Sequence, residues 1–141
     1  LGITIKSEYA FKILLEIVGC ENVEPLSLAR ILTKVKVPKE FAEKIMVELK
    51  EAGIIESSRG RKGGYRLTRP AERITALDVV KAVDEPDRII KCTLDENCCE
   101  NPSTCVIRKM IWEKLRESLQ RTLESVTLRD MIENCQKGLR S

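Results

Sequence analysis

A mainly α-helical fold carrying one small basic hairpin is the reading this sequence supports, and three observations predict it. Apolar residues recur at spacings of three and four through most of the 141 residues, the pattern of helices that each bury one face. The run from Pro38 to Leu67 joins such a helix to two short apolar stretches that flank Arg59-Gly60-Arg61-Lys62-Gly63-Gly64. Two more helical patterns precede that run, with a tight turn just before Pro38. Helix, helix, turn, helix and basic hairpin, in this order, make a winged helix-turn-helix. A long helix is appended towards the C-terminus.

Each element has a local cause. Ile3 to Cys20 is the first helix, with Tyr9, Ala10, Ile13, Leu14, Ile17 and Val18 as its stripe and Thr4 or Ser7 as its cap. Glu21 to Pro25 is a polar connector; Leu26 to Leu32 is a short second helix with Leu28, Ile31 and Leu32 inward. Thr33 to Val37 is the turn. The third helix opens at Pro38, whose fixed φ suits a first helical position. It turns Phe41, Ile45, Leu49 and Ala52 inward and stops at Gly53, where a left-handed residue is wanted. Ile54-Ile55 and Tyr65-x-Leu67 are the hairpin strands. Thr75 caps a helix from Ala76 to Val83 that Pro86 ends, and the stretch from Ile89 to Cys105 is a loop rich in Asn and Pro. The long helix starts at Ser103. Its stripe of Ile107, Ile111, Leu115, Leu119 and Leu123 repeats every four residues, with Met110 and Trp112 alongside. Such a row drifts by about 40° per step and so winds around a helix of about 30 Å. A small domain cannot cover that much apolar surface alone, and the same helix of a second chain is the natural partner. Thr127, with Asp130 in a partial capping box, begins a short final helix.

Charge points to the ligand. Residues 1–70 hold 13 Lys/Arg against 9 Asp/Glu, whereas residues 71–141 hold 12 against 13, so the basic excess travels with the winged helix. From Ser57 to Ala71 there are five Arg/Lys and no acid. Glycines there let the backbone approach a phosphate, and the arginines can reach phosphates or a minor groove. Double-stranded DNA is the expected partner. Lys39, Glu40, Glu43 and Lys44 on the third helix would face the major groove, and Arg59, Arg61 and Lys62 the backbone around it. Glu43 can accept a hydrogen bond from a cytosine amino group; its alternative is a solvent-side ion pair with Lys39 or Lys50. The chain is 43% hydrophobic and 33% charged, globular rather than disordered. No apolar run suits a membrane span or secretory signal, so a cytoplasmic protein is expected. With no histidine, Cys/His zinc fingers, histidine triads and histidine general bases are excluded, and no enzyme is expected.

Six cysteines without a secretory signal suggest metal or redox chemistry more than structural disulfides. Four of them, Cys92, Cys98, Cys99 and Cys105, fall within fourteen residues, while Cys20 and Cys135 stand alone as ordinary buried thiols. The spacing is Cys-x5-Cys-x6-Cys through Cys98, or Cys-x6-Cys-x5-Cys through Cys99. It is wider than the tight pairs of zinc sites and suits soft metals and iron–sulfur clusters. Neighbouring side chains at 98 and 99 point apart, so three thiolates and a ligand from elsewhere fit better than four thiolates. A disulfide is the alternative.

The chain resembles the IscR/NsrR family of iron–sulfur-cluster-dependent winged-helix transcription regulators. The matching stretches are Lys6-Ser7-Glu8-Tyr9-Ala10, Ser57-Ser58-Arg59-Gly60-x-x-Gly63-Gly64-Tyr65-x-Leu67, Ile74-Thr75-x-x-Asp78-Val79, the loop from Cys92 to Cys105, Trp112 and Val126-Thr127-Leu128. The resemblance implies a homodimer crossing over through the long helix and a partly palindromic operator. It implies a cluster, 2Fe–2S rather than 4Fe–4S, held by Cys92, Cys99 and Cys105. Cys99 is preferred because Cys99-x5-Cys105-x2-Arg108-x3-Trp112 matches the family spacing; Cys98 is the other choice. Arg108 stands where some IscR proteins carry a histidine. In the NsrR branch an acidic residue near the partner's N-terminus completes the cluster, a position that Glu8 occupies. The division implied is a DNA-binding domain over residues 1–84, a cluster-binding loop over 85–105, and a dimerisation helix with a C-terminal helix over 106–141. The function implied is control of iron–sulfur cluster biogenesis genes. The alternatives are a nitric-oxide- or redox-sensing repressor of the same family and a cluster-free thiol- or zinc-dependent regulator.

Overall fold

The computed structural model describes residues 2–19, 24–60, 63–86 and 105–140, with side chains through residue 135. Cys20, Arg61, Lys62, Cys92, Cys98 and Cys99 lie outside the described residues.

Helix α1 (Ile5–Gly19) buries Ala10, Ile13, Leu14, Ile17 and Val18, the stripe expected. Tyr9 is half-buried at its edge. Thr4 starts it, its Oγ1 accepting from the Lys6 N–H at 3.2 Å. Helix α2 (Leu28–Lys34) begins two residues later than its apolar pattern suggests, because Ser27 takes the N-cap and accepts from the Arg30 N–H. Leu26 is therefore extended, and it exchanges backbone bonds with Tyr65, Leu26 N to Tyr65 O at 3.0 Å and the reverse at 2.8 Å. It forms a third rung beside the hairpin rather than the first turn of a helix.

Helix α3 (Lys39–Glu51) also starts one residue late: Pro38 is its N-cap, with an extended ψ of 136°. It ends as expected at Gly53, whose φ is +75°. Its buried face is Ala42, Ile45, Met46 and Leu49, so the inward stripe is rotated from the expected one and both Phe41 and Ala52 are exposed. Phe41 is held instead edge-on against Tyr9 of α1, ring centroids 5.7 Å apart.

Strands β1 (Ile55–Ser58) and β2 (Gly64–Leu67) pair antiparallel with Ile55 opposite Leu67 and Ser58 opposite Gly64. Gly64 has a packing reason. A Cβ there would sit 2.5 Å from the Leu26 carbonyl carbon and 2.8 Å from the Ser27 nitrogen, so only glycine lets the wing close onto the chain entering α2. Gly64→Ala is expected to force that rung apart at a cost of about 1–3 kcal/mol, read as a lowered urea midpoint.

A short 3₁₀ turn (Ala71–Arg73) leads to α4 (Ala76–Val83), whose start is a complete capping box between Thr75 and Asp78. The chain is helical again from residue 106. Over Arg108–Trp112 it takes a wide π-type turn, in which the Glu113 N–H reaches back to the Arg108 carbonyl. It then continues as α5 (Glu113–Glu124). The wide turn slows the drift of the four-residue row at Ile107 and Ile111. The last helix, α6 (Leu128–Arg140), is longer than expected at 13 residues. Its capping box is complete: Thr127 N to Asp130 Oδ2 is 3.0 Å and Asp130 N to Thr127 Oγ1 is 3.1 Å.

One core joins these pieces. Leu128 is fully buried with Ile13, Leu14, Ile31, Ile45, Leu49, Ile74 and Val79, so the last helix shares the core of the first four. A backbone bridge fixes it there, with Ala76 N to Val126 O at 2.8 Å and Leu128 N to Ile74 O at 3.0 Å. Cys135 is exposed, against expectation, because the inward positions of α6 end with Met131 and Ile132. No helix among the described residues is long and apolar enough to cross a membrane.

Candidate DNA-binding face and cysteine segment

The outer face of α3 carries Lys39, Glu43 and Lys44, all exposed. Glu43 makes no ion pair with Lys39 or Lys50 among the described residues; Lys50 turns away and donates from Nζ to Ser57 Oγ of the wing at 2.9 Å. That bond fixes the wing relative to α3. Within the wing, basic residues divide into two groups. Arg66 is paired to Glu56 at 2.6 Å, across from it in register, and Arg69 is paired to Asp78 at 3.2 Å while also donating to the Arg73 carbonyl. These two brace the hairpin. Arg59 is exposed at the wing tip, next to Gly60, whose φ of +114° turns the chain.

The cysteine-bearing residues follow α4 in sequence, and the end of α4 is tied down. Asp84 caps the start of α1 from across the molecule. Its Oδ2 accepts from the Thr4 N–H at 2.9 Å and from Ser7 Oγ at 2.6 Å, and its Oδ1 accepts from Thr4 Oγ1 at 2.7 Å. Glu85 N bonds to the Gly2 carbonyl at 3.0 Å. Burial pushes the Asp84 carboxyl up, but the hydrogen bonds from Ser7 and Thr4 together outweigh it and hold the group below its ordinary value. Ser7, only 3% exposed, is accounted for by this contact. One residue before it, Lys6 reaches α3, with Nζ 2.8 Å from Glu48 Oε1 in a largely shielded pair. One residue after it, Glu8 is exposed and lies 3.3 Å from Lys12 Nζ. Residues 4–8 thus link the end of α4 with α3 and carry the exposed Glu8 carboxylate. No sequence pattern marks the Asp84 tether, since its partners are 77 and 80 residues away.

At the far end of the segment Cys105 is a half-buried free thiol immediately before the helical stretch. Arg108, three residues on, is turned along its own helix, its Nε 3.6 Å from Glu113 Oε1 and its side chain 15% exposed. The described residues contain no group of three His, Cys, Asp or Glu able to hold a metal. Of the donors expected, they include Cys105 and Glu8.

A winged helix-turn-helix whose third helix presents exposed charged residues beside a basic hairpin has the fold of a class of protein, the DNA-binding transcription regulators. The chain belongs to the Rrf2 family, described as iron-dependent transcriptional regulators, whose model matches residues 3–134. It is 30% identical over 134 residues to the HTH-type transcriptional regulator IscR of Xenorhabdus nematophila, covering 95% of this chain and 80% of that protein. In structure it is similar to T. potens IscR, with a TM-score of 0.77 at 23% identity over 98% of this chain and 90% of that one. It is similar also to CymR, the global cysteine regulator of B. subtilis, with a TM-score of 0.79 at 25% identity over 95% and 98% of the two chains.

Proposed function

We propose that this regulator binds a partly palindromic operator as a homodimer and that an iron–sulfur cluster, 2Fe–2S in form, sets its affinity. Lys39, Glu43 and Lys44 serve the major groove; Arg59, Arg61 and Lys62 serve the flanking backbone and minor groove. Cys92, Cys99 and Cys105 supply thiolates, with Cys98 the alternative to Cys99, and the partner subunit's Glu8 supplies the fourth ligand. The donor set suits such a group, three soft thiolates and one carboxylate with no histidine. When bound, the cluster would cross-link these side chains.

One observation carries the reading. The end of α4, from which the chain runs on towards the cysteines, is tethered through Asp84 to Thr4 and Ser7, and the same turn is tethered through Lys6 to Glu48 on α3. Any change in how the segment is held therefore acts on the placement of the recognition helix, and two such helices on a palindrome read that placement as affinity. Control of iron–sulfur biogenesis genes follows from the family resemblance, and the cytoplasm is its place of action.

The likeness to CymR supports a second reading, a cluster-free regulator answering to thiol chemistry. Anaerobic purification with iron and sulfide counted, followed by gel shift of loaded and stripped protein on one operator, separates the two. Bound iron and sulfide with a loaded-to-stripped difference in affinity are expected; identical affinities would remove the cluster as the signal. In the loaded protein, Glu8→Ala is expected to shift the visible spectrum and shorten the lifetime of the cluster. An unchanged spectrum and lifetime would remove Glu8 as a ligand.

A further inference from the structure

We propose that Val47 reads the 5-methyl group of a thymine in the major groove, and so sets part of the sequence preference of this regulator. The assignment rests on α3 being the groove helix, as proposed above.

Val47 lies one helical turn beyond Glu43 and three residues after Lys44, on the same face of α3. It is 55% exposed, and its neighbours along that face, Glu43, Lys44, Lys50 and Glu51, are all exposed charged residues. Packing within the protein does not call for an apolar side chain there, because the buried face of the helix is Ala42, Ile45, Met46 and Leu49. Helix propensity does not call for it either, since a β-branched residue loses χ1 freedom in a helix. Lys50, whose methylenes could fold over it, is drawn to Ser57 on the wing at 2.9 Å. The other exposed apolar residue of α3, Phe41, is explained by its edge-on contact with Tyr9.

The major groove presents one apolar feature, the thymine methyl. Cytosine shows an amino donor at its edge instead, which a carboxylate accepts. Glu43 and Val47 together thus pair a cytosine reader with a thymine reader at neighbouring base pairs of one half-site.

The test removes the methyl alone. A duplex is selected from a random pool with the full chain, and each thymine is replaced in turn by uracil in both half-sites. The wild type should weaken about fourfold per half-site at one position, the effect of one lost methyl contact. Val47→Ser should bind the thymine and uracil duplexes equally at that position, and Val47→Ala, which keeps one methyl on a shorter side chain, should lose less than the wild type. Indifference of the wild type to every replacement would overturn the assignment. So would a Val47→Ser protein that still loses as much affinity on uracil as the wild type, since another side chain would then be the reader. Failure to recover any bound duplex would overturn the DNA reading beneath it, a distinct result from recovery of duplexes indifferent to uracil.

Discussion

Asp84→Ala should destabilise the protein by about 2–4 kcal/mol, the range for a carboxylate that satisfies several donors at once, and lower its melting temperature on the order of 10 °C. The substitution removes three hydrogen bonds, two to Thr4 and one to Ser7. It leaves the Ser7 hydroxyl without its acceptor in a site only 3% exposed, and a buried donor without a partner costs more than the bond was worth. The pH dependence has a definite sign. The folded carboxyl lies below its ordinary value, so its contribution is present in full above the unfolded aspartate value near 4 and is lost as the pH falls through the folded value. Asp84→Asn should therefore trail the wild type at pH 7 and approach it below about pH 4, in parallel urea titrations. A gap that stays constant down to pH 3 would mean that the charge does not carry the tether. In the loaded and stripped comparison on DNA, the same variants should lose much of the difference between the two forms, because the end of α4, from which the chain runs on towards the cysteines, would no longer be tied to the turn that carries Lys6.

How much of this was legible depends on the range of the interaction. The stripe of α1, the Gly53 stop, the Thr75 cap and the glycine-bounded wing are set by residues within a few positions of one another, and local pattern finds them. Leu26 escaped because a single residue pairing with Tyr65 has no periodicity to detect, and its apolar side chain reads equally well as the first turn of a helix. The inward face of α3 was rotated because Phe41 looks like core in sequence; contact with Tyr9 on another helix decides otherwise. On the site itself, the exposure of Lys39, Glu43, Lys44 and Arg59 matches the sequence reading. The spending of Arg66 and Arg69 on Glu56 and Asp78 is visible only once the strands are in register. Arg108 is similar: its place three residues after Cys105 raised the question of a ligand, and its partner Glu113 depends on the wide turn between them.

The largest loss of DNA binding is expected from Ile111→Asp. Val106, Ile107, Met110, Ile111 and Leu115 are 63%, 58%, 61%, 47% and 45% exposed in the single chain, a continuous apolar row of the kind that marks an interaction surface. Further along, Leu119 and Leu123 are half-buried, and α5 packs against α4. The row thus starts free and ends against the chain's own core, which is the arrangement a helix needs if its first part crosses to a second copy. In a twofold interface one substitution appears twice, and each buried, unpaired carboxylate costs several kcal/mol. The proposed homodimer should weaken by more than about 100-fold. The single chain should keep its helical circular dichroism, because residue 111 is exposed there already. Loss of simultaneous engagement of two half-sites should then cost on the order of 10² or more in operator affinity, and the slope of log affinity against log salt should fall by about half as half the phosphate contacts go. Sedimentation and gel shift at several salt concentrations check both. If Ile111→Asp remained dimeric with an unchanged slope, the exposed row would not be the dimer contact. The proposed coupling between two copies of α3 would then have to run through another surface.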